Sequence, residues 1–298
     1  MLTDLDTLAG HISDNDVLLL PYTFGAQFSG AAMELTRELI RRGVRGLHLI
    51  GVPALTWQAD LLIGAGCVAV VEAGSVLLYE HGPARRFVDA QRTGEIEVRD
   101  STCPAIYSAL IAAEKGLPFL PVRGLIGSDI LRLHEKIGDW RVIDNPHAEG
   151  AAADPIVAVR AIRADATLFH APLGDRHGNV WVGRRAELAT MAHAANKTLV
   201  TVEQLFDHDL MDDDRFAPST IPAIYVTALA HQPRGSWPLD CGPEHPEDSA
   251  HLREYVERAA SKESFAEYLT RHVMANKVLA NKVVADKAGA NKAGVAAL

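Results

Sequence analysis

Short apolar runs alternate with amphipathic segments along most of this chain. The apolar runs have the length of buried strands, whereas the segments between them repeat their apolar residues at helical spacing. After a stretch at 127–156 that lacks this alternation and is predicted to be rich in loops, the pattern resumes. The predicted strands are 16–23, 46–51, 67–74, 95–100, 117–124, 166–171 and 198–205, and the predicted helices are 29–43, 55–66, 82–94, 102–116 and 184–197.

This order of elements predicts an α/β fold. Apolar strands separated by helices are typical of a mainly parallel sheet that is covered by helices on both faces, with a Rossmann-like topology. Ligands of such sheets bind at the carboxyl ends of the strands, so candidate chemistry is sought in the loops that follow them. We expect a single domain over residues 1–272.

Residues 273–298 differ from the rest of the chain. The segment is composed of few residue types, and lysines recur every five residues, at Lys277, Lys282, Lys287 and Lys292. Five residues advance a helix by about 140°, so these lysines would not form one basic stripe. The segment is predicted to be a low-complexity extension that is disordered or becomes helical only on a partner.

Composition narrows the possible functions. The chain has 298 residues and a net charge of −9, which disfavours binding to nucleic acid or to an anionic membrane. No apolar run reaches the length of about 18 residues that a membrane span needs. The cysteines, Cys67, Cys103 and Cys241, lack the spacing of a zinc motif and suggest a reducing compartment, so we expect a cytoplasmic protein without a bound metal.

The stretch 169–183, FHAPLGDRHGNVWVG, concentrates titratable residues between two glycines. It contains no Ser, Thr or Cys to act as the nucleophile of a triad, and no GxxxxGK[ST] phosphate loop. Asp175, Gly178 and Asn179 are instead typical turn residues. Chemistry alone therefore predicts a tight strand-to-strand turn with His177 partly packed.

Three segments together resemble one known family. Residues 163–183 resemble the signature of A-type (alpha) subunits of family I CoA-transferases, in which a strand of the form ADVALIHA leads into ADxxGN. Residues 82–102 are similar to the family segment AxxFRxAxExGxIExxExS, and 116–131 to GLPFxPxxxxxGTDL. The likeness extends from about residue 12 to about residue 230 and is closest to the glutaconate CoA-transferase branch.

The resemblance implies a mechanism in which this chain has no catalytic residue. In the family, the nucleophile that attacks the acyl-CoA thioester is a glutamate of the B (beta) subunit, in a turn that follows a sheet strand. Here the second strand ends at Gly51, Val52 and Pro53 without an acid, and Glu72 is a weaker alternative at another strand end. The resemblance therefore implies coenzyme A thioester and carboxylic acid as substrates, no permanently bound cofactor, and a B subunit in a heterodimer or heterotetramer.

The candidate substrate contacts lie in loops after predicted strands. The loop 22–32 is rich in glycine but departs from the family's GGxGxxxxP form, which leaves the choice of substrate open. Asp129 matches an acid of the family pattern but would serve equally as a helix N-cap. A cysteine at a helix start is more often a packing residue than a reactive one. The predicted contacts are Phe24, Gly25, Gln27, Gly30, Ser75, Thr102, Cys103, Gly127, Ser128 and Asp129.

The sequence leaves two other functions open. Some members of the family are hydrolases or lyases that open a ring ketone in a CoA thioester, using a glutamate of the A-type chain near the position of Thr102 to Pro104. This chain has Cys103 there, which weakens that alternative. A non-catalytic binding module is the other alternative, and the acidic stretch 206–216 is expected to be an exposed loop and not a metal site.

Overall fold

A parallel sheet, wound in two directions from its middle, organises the chain. The computed structural model describes residues 1–23, 27–149 and 154–275. Its strands are β1 Leu2–Thr3, β2 Val17–Pro21, β3 Leu47–Val52, β4 Val68–Ala73, β5 Glu97–Asp100, β6 Phe119–Val122, β7 Trp140–Asp144, β8 Pro155–Arg160, β9 Ala164–Asp175, β10 Val180–Trp181, β11 Ala195–Phe206, β12 Thr220–Ile221 and β13 Ala228–His231. Its α-helices are α1 Leu5–Ala9, α2 Met33–Arg42, α3 Trp57–Gly64, α4 Arg85–Thr93, α5 Cys103–Glu114, α6 Asp129–Ile137, α7 Ala186–Ala194, α8 Ser249–Arg258 and α9 Lys262–Tyr268. Short 3₁₀ turns lie at Tyr79–His81, Leu210–Asp212, Ala217–Ser219 and Ala223–Tyr225, and a π-helical turn lies at Leu269–Met274.

The main sheet has the strand order β1-β13-β11-β9-β2-β3-β4-β5. All neighbours along this path are parallel, and only the short β10 adds antiparallel pairs, to β9 and β12. The predicted α/β class with a mainly parallel sheet is confirmed. Each crossover between parallel strands needs a long connection, which explains why helices separate these strands in the sequence.

Alternating side chains of β2 show that the sheet is covered on both faces. Leu18 and Leu20 pack into a core with residues of α2, α3 and α8, while Leu19 packs into a second core with residues of α5 and α7. Successive strand residues point to opposite faces, so an unbroken apolar run is needed wherever both faces are covered. The run VLLLP in β2 meets that requirement.

The prediction of a loop-rich region at 127–156 is wrong. This region contains α6 and β7, and it ends where β8 begins. The strands β6, β8 and β7 form a separate antiparallel sheet of three strands, whose core includes Trp140, Val157 and Val159 against Ala105 and Ala109 of α5. The strands β6, FLPV, and β8, PIVAVR, are apolar, whereas β7, WRVID, carries polar residues and exposes several side chains.

Several predicted boundaries differ from the structure by a few residues. Helix α2 begins at Met33, and not at residue 29, because residues 27–32 form a loop that packs against other elements. Helix α7 ends at Ala194, and the chain enters β11 at Ala195, whose Cα pairs with that of Ala164. This pairing extends a parallel ladder over residues that helix propensity alone would assign to α7.

The end of the described chain still packs on the core. Val273 is fully buried, and its carbonyl oxygen accepts a hydrogen bond of 3.1 Å from Nη1 of Arg41. Residues 276–298, with the regularly spaced lysines, lie outside the described residues, so the single domain at 1–272 and the extension at 273–298 stay predictions. In the described part of the chain, no helix combines the length and the apolar character needed to cross a membrane.

The sheet reverses its winding between β2 and β9. Strands β2 to β5 follow one another toward one edge, while β9, β11 and β13 continue from the other side of β2. At such a reversal the connections leave in opposite directions and open a crevice at the carboxyl ends of the two strands. The loop after β2 and the end of β9 therefore frame the candidate site.

Candidate active site

Arg185 holds the loop that follows β2. Its guanidinium Nη1 donates to the carbonyl oxygen of Phe28 and its Nη2 donates to that of Tyr22, both at 2.8 Å. The guanidinium also lies 5.0 Å from the ring centre of Tyr22 and 5.5 Å from that of Phe28. A single side chain from the start of α7 therefore fixes both ends of a loop that precedes it by more than 150 residues.

The positive charge of Arg185 is balanced inside the protein. Its Nε donates to Glu187 at 2.5 Å, and the Arg185 side chain is almost fully buried. Burial of an arginine without a partner would be costly, so the carboxylate of Glu187 is needed to stabilise it. Neither Arg185 nor Glu187 was predicted from the sequence, because neither belongs to a recognised motif.

Gly30 lies where the loop passes closest to Arg185. Its φ of +71° is in the left-handed region, and a Cβ at this position would lie 2.5 Å from Nη1 of Arg185. Its carbonyl oxygen accepts a hydrogen bond of 2.8 Å from the backbone N–H of His170 on β9. Both conditions favour glycine at this position, and the role of Gly30 as a substrate contact stays a prediction.

The other predicted substrate contacts in the loop after β2 are Phe24, Gly25 and Gln27. Oε1 of Gln27 accepts a hydrogen bond of 3.0 Å from the backbone N–H of Arg184, so the side chain ties the loop to the segment before α7. Phe24 and Gly25 lie outside the described residues. Gln27, Phe24 and Gly25 therefore stay predictions as substrate contacts.

Thr102 and Cys103 form the amino end of α5 beside the same crevice. Oγ1 of Thr102 accepts a hydrogen bond of 3.3 Å from the backbone N–H of Ala105, which caps the helix. Cys103 is exposed, and a Cβ on Gly74 would lie 3.4 Å from its Sγ. Pro104 has no N–H, and the backbone N–H groups of Ala105 and Ile106 donate to Thr102, so the N–H of Cys103 is the donor of this first helical turn that is left for a ligand.

Two tyrosines complete this wall of the crevice. Burial raises the pKa of Tyr107 to about 12, and the nearby Glu187, Tyr22 and Cys103 add to the shift. Burial also raises the pKa of Tyr79, with a smaller contribution from Tyr22. Both phenols are therefore protonated at neutral pH and can donate hydrogen bonds to an anionic oxygen. They were not predicted from the sequence, because a tyrosine in a helix or turn carries no motif.

Glu72 and Ser75 lie near β4 but not in this wall. Oε2 of Glu72 lies 3.5 Å from Nε2 of His48, and both residues line a cavity of about 170 Å³ between the main sheet and the small sheet. Ser75 lines a different pocket, of about 180 Å³, with Phe87 and Val98. Neither the ion pair of Glu72 nor the pocket at Ser75 includes Arg185 or Cys103. The role of Ser75 as a substrate contact stays a prediction.

The third predicted segment belongs to α6. Ser128 is the N-cap, because its Oγ accepts a hydrogen bond of 3.1 Å from the backbone N–H of Leu131. Asp129 is the first helical residue and pairs with Arg132 at the surface, so the alternative that Asp129 is the cap is wrong. Gly127 has a φ of +83° and open space around its Cα. As substrate contacts, these residues stay predictions.

The end of β3 has no room for a side chain. A Cβ on Gly51 would lie 2.8 Å from the carbonyl carbon of Ala54 and 2.8 Å from Cγ of Leu55. The turn folds back closely, and the backbone N–H of Leu55 donates to the carbonyl oxygen of Ser75 at 2.9 Å. Glycine at this position is therefore required by packing, and no carboxylate follows this strand.

The stretch at 169–183 forms a turn between β9 and β10, as predicted from its chemistry. Asp175 is fully buried and accepts backbone hydrogen bonds of 2.9 Å from His177, Asn179 and Leu210. Nδ2 of Asn179 donates to the other side of the same carboxylate at 2.8 Å. His177 itself is exposed, so the expectation that it is partly packed is wrong. The carboxylate of Asp175 therefore stabilises the turn.

Comparison with known proteins places this chain in a defined family. Residues 4–231 match the family model described as coenzyme A transferase. The chain belongs to the coenzyme A transferase family. The matched range includes the loop after β2, the start of α5 and the turn that contains Asp175.

Relatives within the coenzyme A transferase family differ in the activity that their names state. The chain is 29% identical over 253 residues to the A-type chain of 3-oxoadipate CoA-transferase from Pseudomonas knackmussii, covering 81% of this chain and 83% of the relative. It is 28% identical over 254 residues to the cholesterol ring-cleaving hydrolase IpdA subunit of Rhodococcus jostii, covering 82% of this chain and 83% of the relative. Sequence identity alone does not separate the two activities.

Two further comparisons concern length and fold. An uncharacterized protein of Archaeoglobus fulgidus is 30% identical over 248 residues, covering 81% of this chain, which spans only 53% of that protein. The crystal structure of glutaconate coenzyme A-transferase from Acidaminococcus fermentans superposes with a TM-score of 0.80 at 23% identity, covering 91% of this chain and 88% of that chain. The superposition shows the same fold for this chain.

Proposed function

We propose that this chain is the A-type subunit of an enzyme that transfers coenzyme A between an acyl-CoA and a carboxylic acid. The attacking glutamate comes from a B-type subunit, and this chain supplies binding surface and hydrogen-bond donors. Coenzyme A thioester is the substrate, and no permanently bound cofactor takes part. The family membership and the relatives named as A-type chains of transferases support this proposal.

The closed turn after β3 carries the proposal. In the family, the nucleophilic glutamate of the B subunit occupies a turn after a sheet strand, whereas here Gly51 packs against Ala54 and Leu55 too closely to bear a side chain. The carboxylate of Glu187, which acts on Tyr107, is held by Arg185 at 2.5 Å. A carboxylate held in an ion pair is a poor nucleophile, so an attacking acid has to come from elsewhere.

The crevice is suited to stabilising an oxyanion. Cleavage of a thioester by a carboxylate passes through a tetrahedral intermediate with negative charge on the carbonyl oxygen. The protonated phenol of Tyr107 and the backbone N–H of Cys103 at the start of α5 are donors of the required kind. Donors that are fixed before the reaction lower its barrier, because they need no reorganisation during the step.

The test is exchange of labelled coenzyme A between two acids. The chain alone should give no turnover, whereas the chain mixed with a B-type subunit that has the glutamate turn should transfer coenzyme A only when an acceptor acid is present. Substitution of that glutamate in the B-type subunit by glutamine should abolish exchange while the complex still assembles. Turnover of acyl-CoA by this chain alone, at the rate of the complex, would contradict the proposal.

The second candidate is hydrolysis or lysis of a cyclic CoA thioester. The similarity to the ring-cleaving IpdA subunit supports it, because that relative covers as much of the chain as the transferase relative does. Such an enzyme would consume its thioester substrate in water without an acceptor acid. Incorporation of oxygen-18 from solvent into the ring-opened product, without transfer of coenzyme A, would favour this candidate over the transferase.

The assembly and compartment form part of the proposal. We propose a heterodimer or heterotetramer with the B-type subunit, which size-exclusion chromatography with light scattering would measure. The described cysteines, Cys67, Cys103 and Cys241, are all free thiols, which is consistent with the proposed cytoplasmic location.

A further inference from the structure

The cavity between the main sheet and the small sheet is separate from the crevice. It has a volume of about 170 Å³, and α5 lines it with Ala105, Ile106 and Ala109. Each helical residue advances by about 100°, so Ala105 and Ala109 lie on the side of α5 nearly opposite to Cys103 and Tyr107. Helix α5 therefore divides the cavity from the crevice.

Apolar side chains form one part of the cavity wall. Ile50 of β3, Trp140 of β7 and Ile162, between β8 and β9, line it together with the apolar residues of α5. Its volume is several times the about 30 Å³ that one water occupies, but lies below the about 300 Å³ at which pockets for drug-sized ligands begin. The cavity therefore suits a ligand with only a few carbon atoms.

Two buried polar atoms of lining residues have no hydrogen-bond partner among the described residues. They are Oγ of Ser101, a residue that is 6% exposed, and Nε2 of His48. Oε2 of Glu72 lies 3.5 Å from Nε2 of His48, which is close enough for an ion pair but lacks the geometry of a hydrogen bond. Buried polar groups are nearly always hydrogen-bonded, so these two potential donors point to an acceptor on a bound molecule.

The charged residues of the cavity wall have a surplus of one positive charge when His48 is neutral. They are three arginines and two carboxylates, namely Arg99, Arg160, Arg163, Glu72 and Asp139. Nη1 of Arg160 lies 3.8 Å from Asp139, and Nε of Arg99 donates at 2.7 Å to Glu97, which is half exposed and does not line the cavity. Arg163 forms no ion pair with a carboxylate in the part of the chain that the structure describes. A ligand with one negative charge would balance this surplus.

We propose that this cavity binds a small carboxylic acid with a short apolar chain. The apolar chain packs against Ile50, Ile106 and Trp140, and the carboxylate accepts hydrogen bonds from the donors of the wall. Arg163 supplies the balancing charge, because a guanidinium forms strong, charge-assisted hydrogen bonds with a carboxylate. Since the cavity lies between the two sheets, the bound acid also stabilises the packing of the small sheet on α5.

The first test is isothermal titration calorimetry of the full chain with sodium butyrate. Butyrate should bind with about one equivalent per chain and should raise Tm as its concentration rises. Butyramide has nearly the same shape but no charge, and should bind about 10-fold more weakly or less. Inorganic phosphate should also bind more weakly than butyrate, because it has no apolar part to bury.

Two variants and a matched control locate the bound acid. Arg163→Gln should raise the Kd for butyrate by about 10-fold. The control is Arg141→Gln, because Arg141 is also an exposed arginine of this region but does not line the cavity, and its Kd should be unchanged. Ser101→Ala should raise the Kd by about 3- to 10-fold without lowering the free energy of unfolding of the ligand-free chain, because its hydroxyl has no partner to lose. A purely structural serine would not separate affinity from stability in this way.

The proposal is wrong if butyrate does not bind, since water alone would then fill the cavity. It is also wrong if butyramide or phosphate binds as tightly as butyrate, because the site would then not select a carboxylate with an apolar chain. If Arg163→Gln and Ser101→Ala both leave the Kd unchanged, the acid lies elsewhere, for example in the crevice, and the proposal fails. None of these readouts needs acyl-CoA or a B-type subunit, so the outcome is independent of the proposed enzymatic function.

Discussion

Gly30→Ala tests whether the loop after β2 is fixed by its close contact with Arg185. Gly43→Ala is the matched control, because Gly43 has a φ of +74°, close to the +71° of Gly30, but has open space around its Cα. Both variants place an alanine in the left-handed region, at a cost of about 1–2 kcal/mol. The control therefore measures the cost of the backbone conformation alone.

The additional cost at Gly30 follows from the contact distance. A Cβ 2.5 Å from Nη1 of Arg185 displaces the guanidinium, which then loses its hydrogen bond to the carbonyl oxygen of Phe28. Because Arg185 is buried and ion-paired with Glu187, it cannot move freely into water. A hydrogen bond to a charged group contributes about 1.5–3 kcal/mol, so Gly30→Ala should cost about 2.5–5 kcal/mol in total.

Urea unfolding of both variants, followed by circular dichroism, measures the difference. We expect the free energy of unfolding of Gly30→Ala to lie about 1.5–3 kcal/mol below that of Gly43→Ala. In the assembled enzyme, Gly30→Ala should also lower kcat/KM for acyl-CoA, while Gly43→Ala should not. If the two variants lose the same stability, the contact with Arg185 does not hold the loop.

Three further predictions concern other sites. Asp175→Ala should lower the free energy of unfolding by about 3–5 kcal/mol, because it leaves buried backbone donors unpaired. The control Asp213→Ala, in a surface loop, should have little effect on the free energy of unfolding. Equal losses of the two variants in urea unfolding would contradict this prediction. Burial raises the pKa of Asp60 from 3.8 to about 6. Between pH 3.8 and about 6 the folded state therefore binds a proton that the unfolded state has lost. The free energy of unfolding should fall as pH rises from about 4 to 6, by the order of 3 kcal/mol. Asp60→Asn should remove that part of the pH dependence, and an unchanged profile in unfolding measured at several pH values would show that another group is responsible. Cys103→Ser should retain coenzyme A exchange within about 10-fold if the nucleophile comes from the partner, and complete loss of exchange would assign the reaction to this thiol.

Local patterns predicted most of the main sheet because its strands are covered on both faces. The run VLLLP in β2 has no polar position to place in water, and helices of opposite faces take up its alternate side chains. The resemblance of residues 163–183 to the family signature is likewise confirmed by the match to the family model. Of the small sheet, β6 lies within the predicted strand 117–124, whereas β7 was not predicted, because it exposes several side chains and its sequence WRVID carries a weaker apolar signal.

The candidate site was predicted only in part. Gly30, Thr102 and Cys103 are predicted contacts in loops after strands; the structure shows Gly30 against Arg185 and places Thr102 and Cys103 at the amino end of α5, and their role as substrate contacts stays a prediction. Arg185 and Tyr107 were not selected, because their importance depends on contacts with residues far away in the chain. Ser128 and Asp129 were selected from a motif, but their observed contacts are those of a helix start.

By itself, the sequence determined the α/β class, the parallel sheet and the turn at Asp175, because apolar periodicity and turn chemistry act over a few neighbouring residues. The tertiary structure alone decided which side chains meet. Arg185 contacts Tyr22 and Phe28, and His170 contacts Glu203, only because the strand order puts β9 between β2 and β11. Contacts of that kind arise when the sheet winds in both directions from β2, and no local pattern encodes the order in which parallel strands pair.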